Sequence, residues 1–564
     1  MLDQPREARE TVDASQPRSS GKAGSAAADL QSLWGISEHS YLEDWLFETG
    51  DDDEDDLDGV TSDAPNRKFS ALSRRCIINI GTLVLLTVSL ILIFVSYPLA
   101  VVRDIGTRSL IGANGTGQIA DIPNIMRLID PKTPIEARTW TKPLADRSSF
   151  HLVFSDEFET EGRTFWPGDD PFWEAVDLHY AGTEDYEWYT PEAVNTSRGF
   201  LNIALEEHAT RGRNFRSGML QSWNKFCFQG GYIEVSVILP GSRFMSGLWP
   251  AIWTMGNLGR PGYLGSTHGM WPYSYSSCDV GILPNQTWLN KTGPPANLER
   301  LTKTGVPLSH LDGMRTPACT CPDEDHPGPT IHVGRSAPEL DIVEVLSTGG
   351  IGTASQSFQL GPFDADYNWT QSAPTTVLHQ NSTTFNPWPG GPFQESISGL
   401  TPVPNDAFEH DGGRATTFAI DFEPDWLGDG SGHVTWYVDG KPTWTVTGKA
   451  IGPRADVEVG QRLIPVEPLA LVINLGLSPG WNALEWDKLR FPATLRVDYV
   501  RVYQRDGRPD RITCDPPDHP TARYIQDHMD IYTDSDLAVF PRDAHRWPKN
   551  RLTHNCSTGQ PLTS

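Results

Sequence analysis

Basic residues are scarce in this sequence of 564 residues: 45 Lys and Arg stand against 72 Asp and Glu, for a formal net charge of -27. That balance excludes a nucleic-acid binder, whose phosphate contacts need an excess of cationic side chains. Long apolar runs are also lacking, with one exception, so a multi-span membrane protein is excluded. Amphipathic helical stretches are missing from the second half, which excludes a doubly wound α/β architecture. Hydrophobic residues make up a modest 38%, whereas Gly (51) and Pro (45) are plentiful, as in one loop-rich β unit with tails. The 19 Trp residues fit a neutral partner such as sugar, whose ring faces stack on indoles, and fit a Trp-rich β core equally well.

The exceptional run spans residues 76–102, "CIINIGTLVLLTVSLILIFVSYPLAVV", and carries no charge. It exceeds the roughly 20 residues that cross a bilayer and is too long and too deep for a cleaved signal peptide. Arg67, Lys68, Arg74 and Arg75 precede it, and only Arg103 and Arg108 follow closely. The positive-inside rule therefore predicts a type II orientation, with the bulk of the chain luminal or extracellular and the address in the endoplasmic reticulum, Golgi or plasma membrane. The Asn-X-Ser/Thr sequons, at Asn114, Asn195, Asn285, Asn290, Asn368, Asn381 and Asn555, all follow the run. So do six of the seven cysteines, an even number that predicts up to three disulfides in an oxidising compartment; their connectivity is not readable, though a Cys514–Cys556 bridge would pin down the tail. Cys76, at the cytosolic edge, is a small apolar residue or a palmitoylation site.

Residues 1–75 read as a disordered acidic cytosolic tail, since seven of the eight residues 51–58 are acidic. Within it "YLEDWLFE" (residues 41–48) is a candidate contact for sorting factors. Residues 103–147 read as a stem, and 506–564 as a Cys-containing tail. Between them, 148–505 carries short alternating runs punctuated by Gly, Pro, Asn and Asp, which predict antiparallel strands in a two-sheet sandwich. In "WYVDGKPTW" the Asp439-Gly440 pair predicts a tight hairpin. Residues 257–337 break the rhythm and read as a long insertion, with Cys278, Cys319 and Cys321 available to tie it down.

The motif "ELDIVEV" (residues 339–345) puts Glu339, Asp341 and Glu344 into an otherwise apolar strand. Alternation sends Glu339 and Asp341 to one face and Glu344 to the other; a β-bulge at Ile342 or Val343 would bring Glu344 back. Three acids on one groove-lining face suit retaining glycoside cleavage, which needs a nucleophile and a proton donor about 5 to 5.5 Å apart. A solvated edge strand or a calcium site are the other readings of such a pattern. The calcium reading wants oxygens converging from a loop, and this is an apolar strand.

"ELDIVE" resembles the active-site motif of glycoside hydrolase family 16, and four further stretches fit in order: "FSDEF" (154–158), "GGYIEVSV" (230–237), "GLWPAIWTM" (247–255) and "VDYVRVYQ" (497–504). With "SAPELDIVEV" following an inserted loop, the nearest resemblance is to fungal β-1,6-glucan synthesis-associated proteins. The resemblance implies an all-β, concanavalin-like β-jelly roll of two curved antiparallel sheets behind one N-terminal transmembrane helix. It implies Glu339 as nucleophile, Asp341 as its hydrogen-bonding assistant and Glu344 as acid/base. Trp249 and Trp253 fall where the family stacks sugars, although a Trp in a "WPAIW" strand fits the core equally well, and Trp481 falls at the border of the cleft. Some members of the wider family hold a structural calcium near the sheet edge, for which Asp498 is a candidate ligand, but nothing in the sequence requires the ion, and no cofactor is expected. The implied activity is a membrane-anchored retaining β-glucan glycosidase or transglycosylase supporting cell-wall β-1,6-glucan biosynthesis. The alternative is a glycan-binding or chaperone-like factor using the same cleft without turnover, and a third reading centres on the cytosolic tail.

Overall fold

A computed structural model describes residues 74–91 and 127–562. The acidic tail, residues 41–48, the orientation-setting Arg103 and Arg108, Asn114 and most of the stem lie outside them. The chain divides into two compact units, residues 1–110 and 111–564. In the first, the one described element is the helix Arg74–Ile91. Leu83, Leu85 and Leu90 on it are exposed. Among the described residues no helix is long and apolar enough to cross a membrane, and residues 92–102 of the uncharged run fall outside them.

The second unit is the expected β-sandwich. Its inner sheet has nine strands, ordered Thr384–Phe385, Gln394–Pro402, Ile351–Leu360, Glu339–Thr348, Leu248–Gly256, Leu469–Leu477, Met219–Gln221 and Glu174–Ala175, with Gly390–Gly391 paired beside Gln394–Pro402. The outer sheet has ten, running from Thr139–Thr141 through Ser149–Asp156, Ala493–Arg505, Gly231–Ile238, Thr416–Glu423 and His433–Val438 to Lys441–Thr447 and Thr376–Leu378, with two short strands off this path. The strand pairings in both sheets are antiparallel, whereas the two-stranded ribbon of Glu187–Tyr189 with Phe215–Ser217 is parallel. The period-two pattern explains the layering. In Thr416–Glu423, Phe418, Ile420 and Phe422 enter the core between the sheets, while Ala419 packs in a separate cluster on the outer face. The hairpin falls where expected: Asp439 (φ 53°) and Gly440 (φ 71°) connect His433–Val438 to Lys441–Thr447.

The insertion is not a bare loop. It carries the helices Leu264–Thr267 and Pro295–Thr304 and its own apolar cluster, including Tyr273, Ile282 and Met314. Disulfides fasten it: Cys278 pairs with Cys319, and Cys321 pairs with Cys556. Cys514 does not meet Cys556 to pin down the tail; it pairs with Cys227. The C-terminal segment does not close on itself; it straps the insertion through Cys556 and the sandwich through Cys514.

Candidate active site

The motif strand Glu339–Thr348 lies mid-sheet, between Leu248–Gly256 and Ile351–Leu360. Against the first neighbour, Met255, Thr254 and Trp253 oppose Glu339, Leu340 and Asp341, but Ile252 opposes Val343 and Ala251 opposes Glu344. Against the second, Asp341 faces Ser357 and Glu344 faces Ser355, so Ile342 and Val343 together oppose Gln356. This is the β-bulge that the spacing of the acids required. Its physical cause is visible in the core: Leu340, Ile342, Val343 and Val345 all bury between the sheets. Two consecutive residues on the core side force the alternation to slip once, and Glu344 rejoins Glu339 and Asp341 on the inner sheet's other face.

Each acid is held by a neutral donor. The Trp271 indole N–H donates to Glu339 Oε2 at 2.6 Å, Gln359 Nε2 donates to Asp341 Oδ2 at 2.8 Å, and the Trp249 indole N–H donates to Glu344 Oε1 at 2.9 Å. Asp341 is hydrogen-bonded to Glu339, and the Ser357 side chain is within hydrogen-bonding reach of both Asp341 and Glu344. Among the described residues, no Lys, Arg or His forms an ion pair with any of the three. Burial without a cation therefore dominates. It pushes Glu339 well above the usual carboxylate range, helped by the charges of Asp341 and Glu344, while Trp271 pulls the other way. Burial and the Asp341 charge push Glu344 well up too. Asp341 is raised by burial, but Gln359, Glu339 and Ser357 restrain it to about 6. Such a site holds a proton near neutrality next to a group able to ionise, the requirement for acid/base work on a glycosidic bond.

Trp271 and Tyr180 were not among the residues singled out in the sequence. Trp271 comes from the insertion, and with Tyr180 it packs against a cluster that includes Trp253, Tyr263, Met270 and Ala337. The negative charge of Glu339 reaches Tyr180, adding to burial in raising its phenol. Because Trp271 stabilises ionised Glu339, Trp271→Phe is expected to raise that carboxyl further. The acidic limb of a pH–rate profile should move to higher pH, with turnover on that limb falling; an unmoved limb would contradict the assignment.

The three tryptophans expected at the cleft take different places. Trp249, besides holding Glu344, stacks on Trp481 with ring centroids 4.8 Å apart and planes 4° from parallel. Trp481 is half-buried and donates to Val345 O at 3.3 Å, which fixes it beside the motif strand. Of the two readings open for Trp253, the structure gives the core one: it is 7% exposed and its N–H donates to Asn474 Oδ1 at 2.8 Å. It is buried in a cluster with Tyr263, Met270 and Ala337.

Behind Trp253 lies a second buried acidic pair that the sequence reading missed. Asn474 Nδ2 donates to the Tyr189 hydroxyl at 3.1 Å, and Tyr189 and Glu187 both hydrogen-bond Asp185. Burial raises Asp185 to about 6 and Glu187 well above its usual range. The signal for Ser357 and Gln359 was present in "SQSFQL" (355–360), where polar residues alternate with Phe358 and Leu360.

Of the sequon asparagines, Asn195, Asn285, Asn290, Asn368, Asn381 and Asn555 are all exposed, so each is open to glycosylation. Asp498 accepts from the Ser236 hydroxyl at 3.1 Å. Among the described residues no group of three or more His, Cys, Asp or Glu forms a metal-holding cluster.

The two-sheet sandwich, with Glu339, Asp341 and Glu344 gathered on one face of its inner sheet, defines an all-β protein with a buried carboxylate site. The profile of the family described as "Beta-glucan synthesis-associated protein SKN1/KRE6/Sbg1" matches residues 36–556, and the chain belongs to this family. It is 42% identical over 441 residues to the beta-glucan synthesis-associated protein KRE6 of Saccharomyces cerevisiae, covering 77% of this chain and 57% of that protein. It is 43% identical over 441 residues to KRE6 of Candida albicans, covering 76% and 55%. The chain thus spans somewhat over half the length of the curated relatives it matches. Among solved structures, the catalytic domain of an endo-1,3-beta-glucanase from Thermotoga petrophila RKU-1 aligns with TM-score 0.37 and 19% identity, over 64% of this chain and 100% of that one.

Proposed function

We propose that this protein is a retaining glycosidase or transglycosylase acting on β-glucan, anchored in a membrane of the secretory pathway and supporting fungal cell-wall β-1,6-glucan assembly. The observation that carries the reading is the bulge at Ile342 and Val343, which gathers Glu339, Asp341 and Glu344 on one face. In this reading Glu339 attacks the anomeric carbon while Glu344 protonates the departing oxygen. Asp341, bonded to Glu339, passes its hydrogen bond between the neutral and charged states of the nucleophile. Glu344 then deprotonates an acceptor hydroxyl or water, and the sugar leaves with net retention. The stacked Trp249–Trp481 pair supports a sugar-binding wall, and its tie to Glu344 couples that wall to the acid.

The family's description and the names of its yeast relatives support the link to β-glucan synthesis. The uncharged run at 76–102 supports one span in type II orientation, with 1–75 cytosolic, 103–147 a stem, and 148–505 and 506–564 luminal. The three disulfides and the six exposed sequons fit that side of the membrane.

The test is incubation of the purified protein with β-glucan oligosaccharides, followed by mass spectrometry of chain lengths. Turnover appears as a redistribution of lengths, longer than the substrate for transfer and shorter for hydrolysis. Saturable binding with unchanged lengths would instead establish the non-catalytic glycan-binding reading.

A further inference from the structure

The long outer strand Ala493–Arg505 runs on into "RDGRPDR" (505–511), where Gly507 (φ 78°) turns the chain and Pro509 stiffens it. Arginine recurs every third residue. The two aspartates of this stretch are drawn to His151, whose Nδ1 and Nε2 meet Asp506 and Asp510 at 2.9 Å each. Arg505, Arg508 and Arg511 instead line a cavity of about 240 Å³ together with Lys142, Asp421, Glu423, His433 and Trp426. Four cations thus face two acids, in a chain whose net charge is -27.

The acids are already engaged. Lys142 Nζ is 2.5 Å from Asp421 and 3.2 Å from His433 Nε2, forming one wall. Glu423 accepts from Arg508, and Arg505 reaches it only at 4.0 Å. A guanidinium offers five N–H donors, so both arginines, 38% and 52% exposed in their side chains, retain donors for an incoming anion. Arg511 is fixed by Asp518 at 2.8 Å and by Gln229 at 3.2 Å, with its guanidinium 4.3 Å from the centre of the Trp426 ring. The cavity has room for more than a bare phosphate. It falls just under the roughly 300–1,000 Å³ of drug-sized pockets, which fits a single sugar ring against the partly exposed Trp426.

We propose that this pocket is a second ligand site, specific for a small phosphorylated sugar. The arginines take the phosphate, for which their planar forks are suited, and Trp426 walls the ring. The site is separate from the carboxylates. Ile420, Phe422 and Val434, the neighbours of Asp421 and His433 in sequence, point into the core between the sheets, so the pocket opens on the far side of the outer sheet.

Calorimetric titration of the full chain with glucose 6-phosphate, glucose and inorganic phosphate tests this. Glucose 6-phosphate is expected to bind at least about tenfold tighter than either of the others. An Arg505→Ala/Arg508→Ala double variant should lose at least about tenfold of that affinity, and Trp426→Ala should weaken glucose 6-phosphate while leaving inorganic phosphate unchanged. Glu339→Gln, in the cleft, should bind as the unaltered protein does. Absence of saturation, equal affinity for inorganic phosphate, or affinity that survives the double variant would each overturn the proposal.

Discussion

Glu339→Gln is expected to lower glucan turnover by at least about 10³-fold while leaving the protein folded. The amide keeps the shape and still accepts from Trp271, but it cannot attack an anomeric carbon. The same change should stabilise the protein at neutral pH. Burial raises the folded-state pKa of all three acids, so their favourable contribution is fully present below the unfolded value and is lost as pH rises through the folded one. For Asp341 that window runs from its ordinary value of 3.8 to about 6. Asp341→Asn should therefore gain on the order of 2–3 kcal/mol at pH 7 and nearly nothing at pH 3. Denaturant unfolding at the two pH values reads this directly. A variant less stable than its parent at pH 7 would mean that the acids hold the fold together instead of straining it.

The second large effect lies behind the site. Arg335, fully buried four positions before Glu339, forms a bidentate pair with Glu467, both contacts at 2.8 Å. Its remaining nitrogen donates to Gly328 O at 2.7 Å and Pro520 O at 2.9 Å. One guanidinium thus joins the insertion, the C-terminal segment and the residues just ahead of the strand Leu469–Leu477. Arg335→Ala leaves a buried carboxylate without its partner and is expected to cost roughly 3–5 kcal/mol. Activity should fall with it, since the start of the motif strand loses its anchor. The double change Arg335→Met/Glu467→Met removes both charges and should recover most of the loss. Unfolding midpoints of the two variants check this, and a single variant within about 0.5 kcal/mol of the parent would show that the pair is not structural.

The layers and the central bulge were legible in the sequence because both follow from period two. Three acids in six positions can share a face only if one residue is extra, and the apolar Ile342-Val343 pair is where it can be hidden. The identity of the neighbours was not legible in the same way. Trp271 sits in an insertion without periodicity, so nothing local announces that its N–H will meet Glu339. Alternation left Trp253 open between a sugar platform and the core, and what buries it comes from the insertion, which has no periodicity of its own. The cysteine connectivity was not legible for the same reason. Cys514 and Cys556 are successive cysteines, but Cys514 meets Cys227 and Cys556 meets Cys321, both distant in sequence.

The most direct measurement is trapping with an activated 2-deoxy-2-fluoro β-glucoside, followed by peptide mass spectrometry. Slow breakdown of the fluorosugar ester should leave one adduct, on the peptide carrying Glu339, and none in Glu339→Gln. An adduct on another carboxylate, or turnover of glucan with no adduct and inverted product, would contradict the role drawn here for the bulged strand.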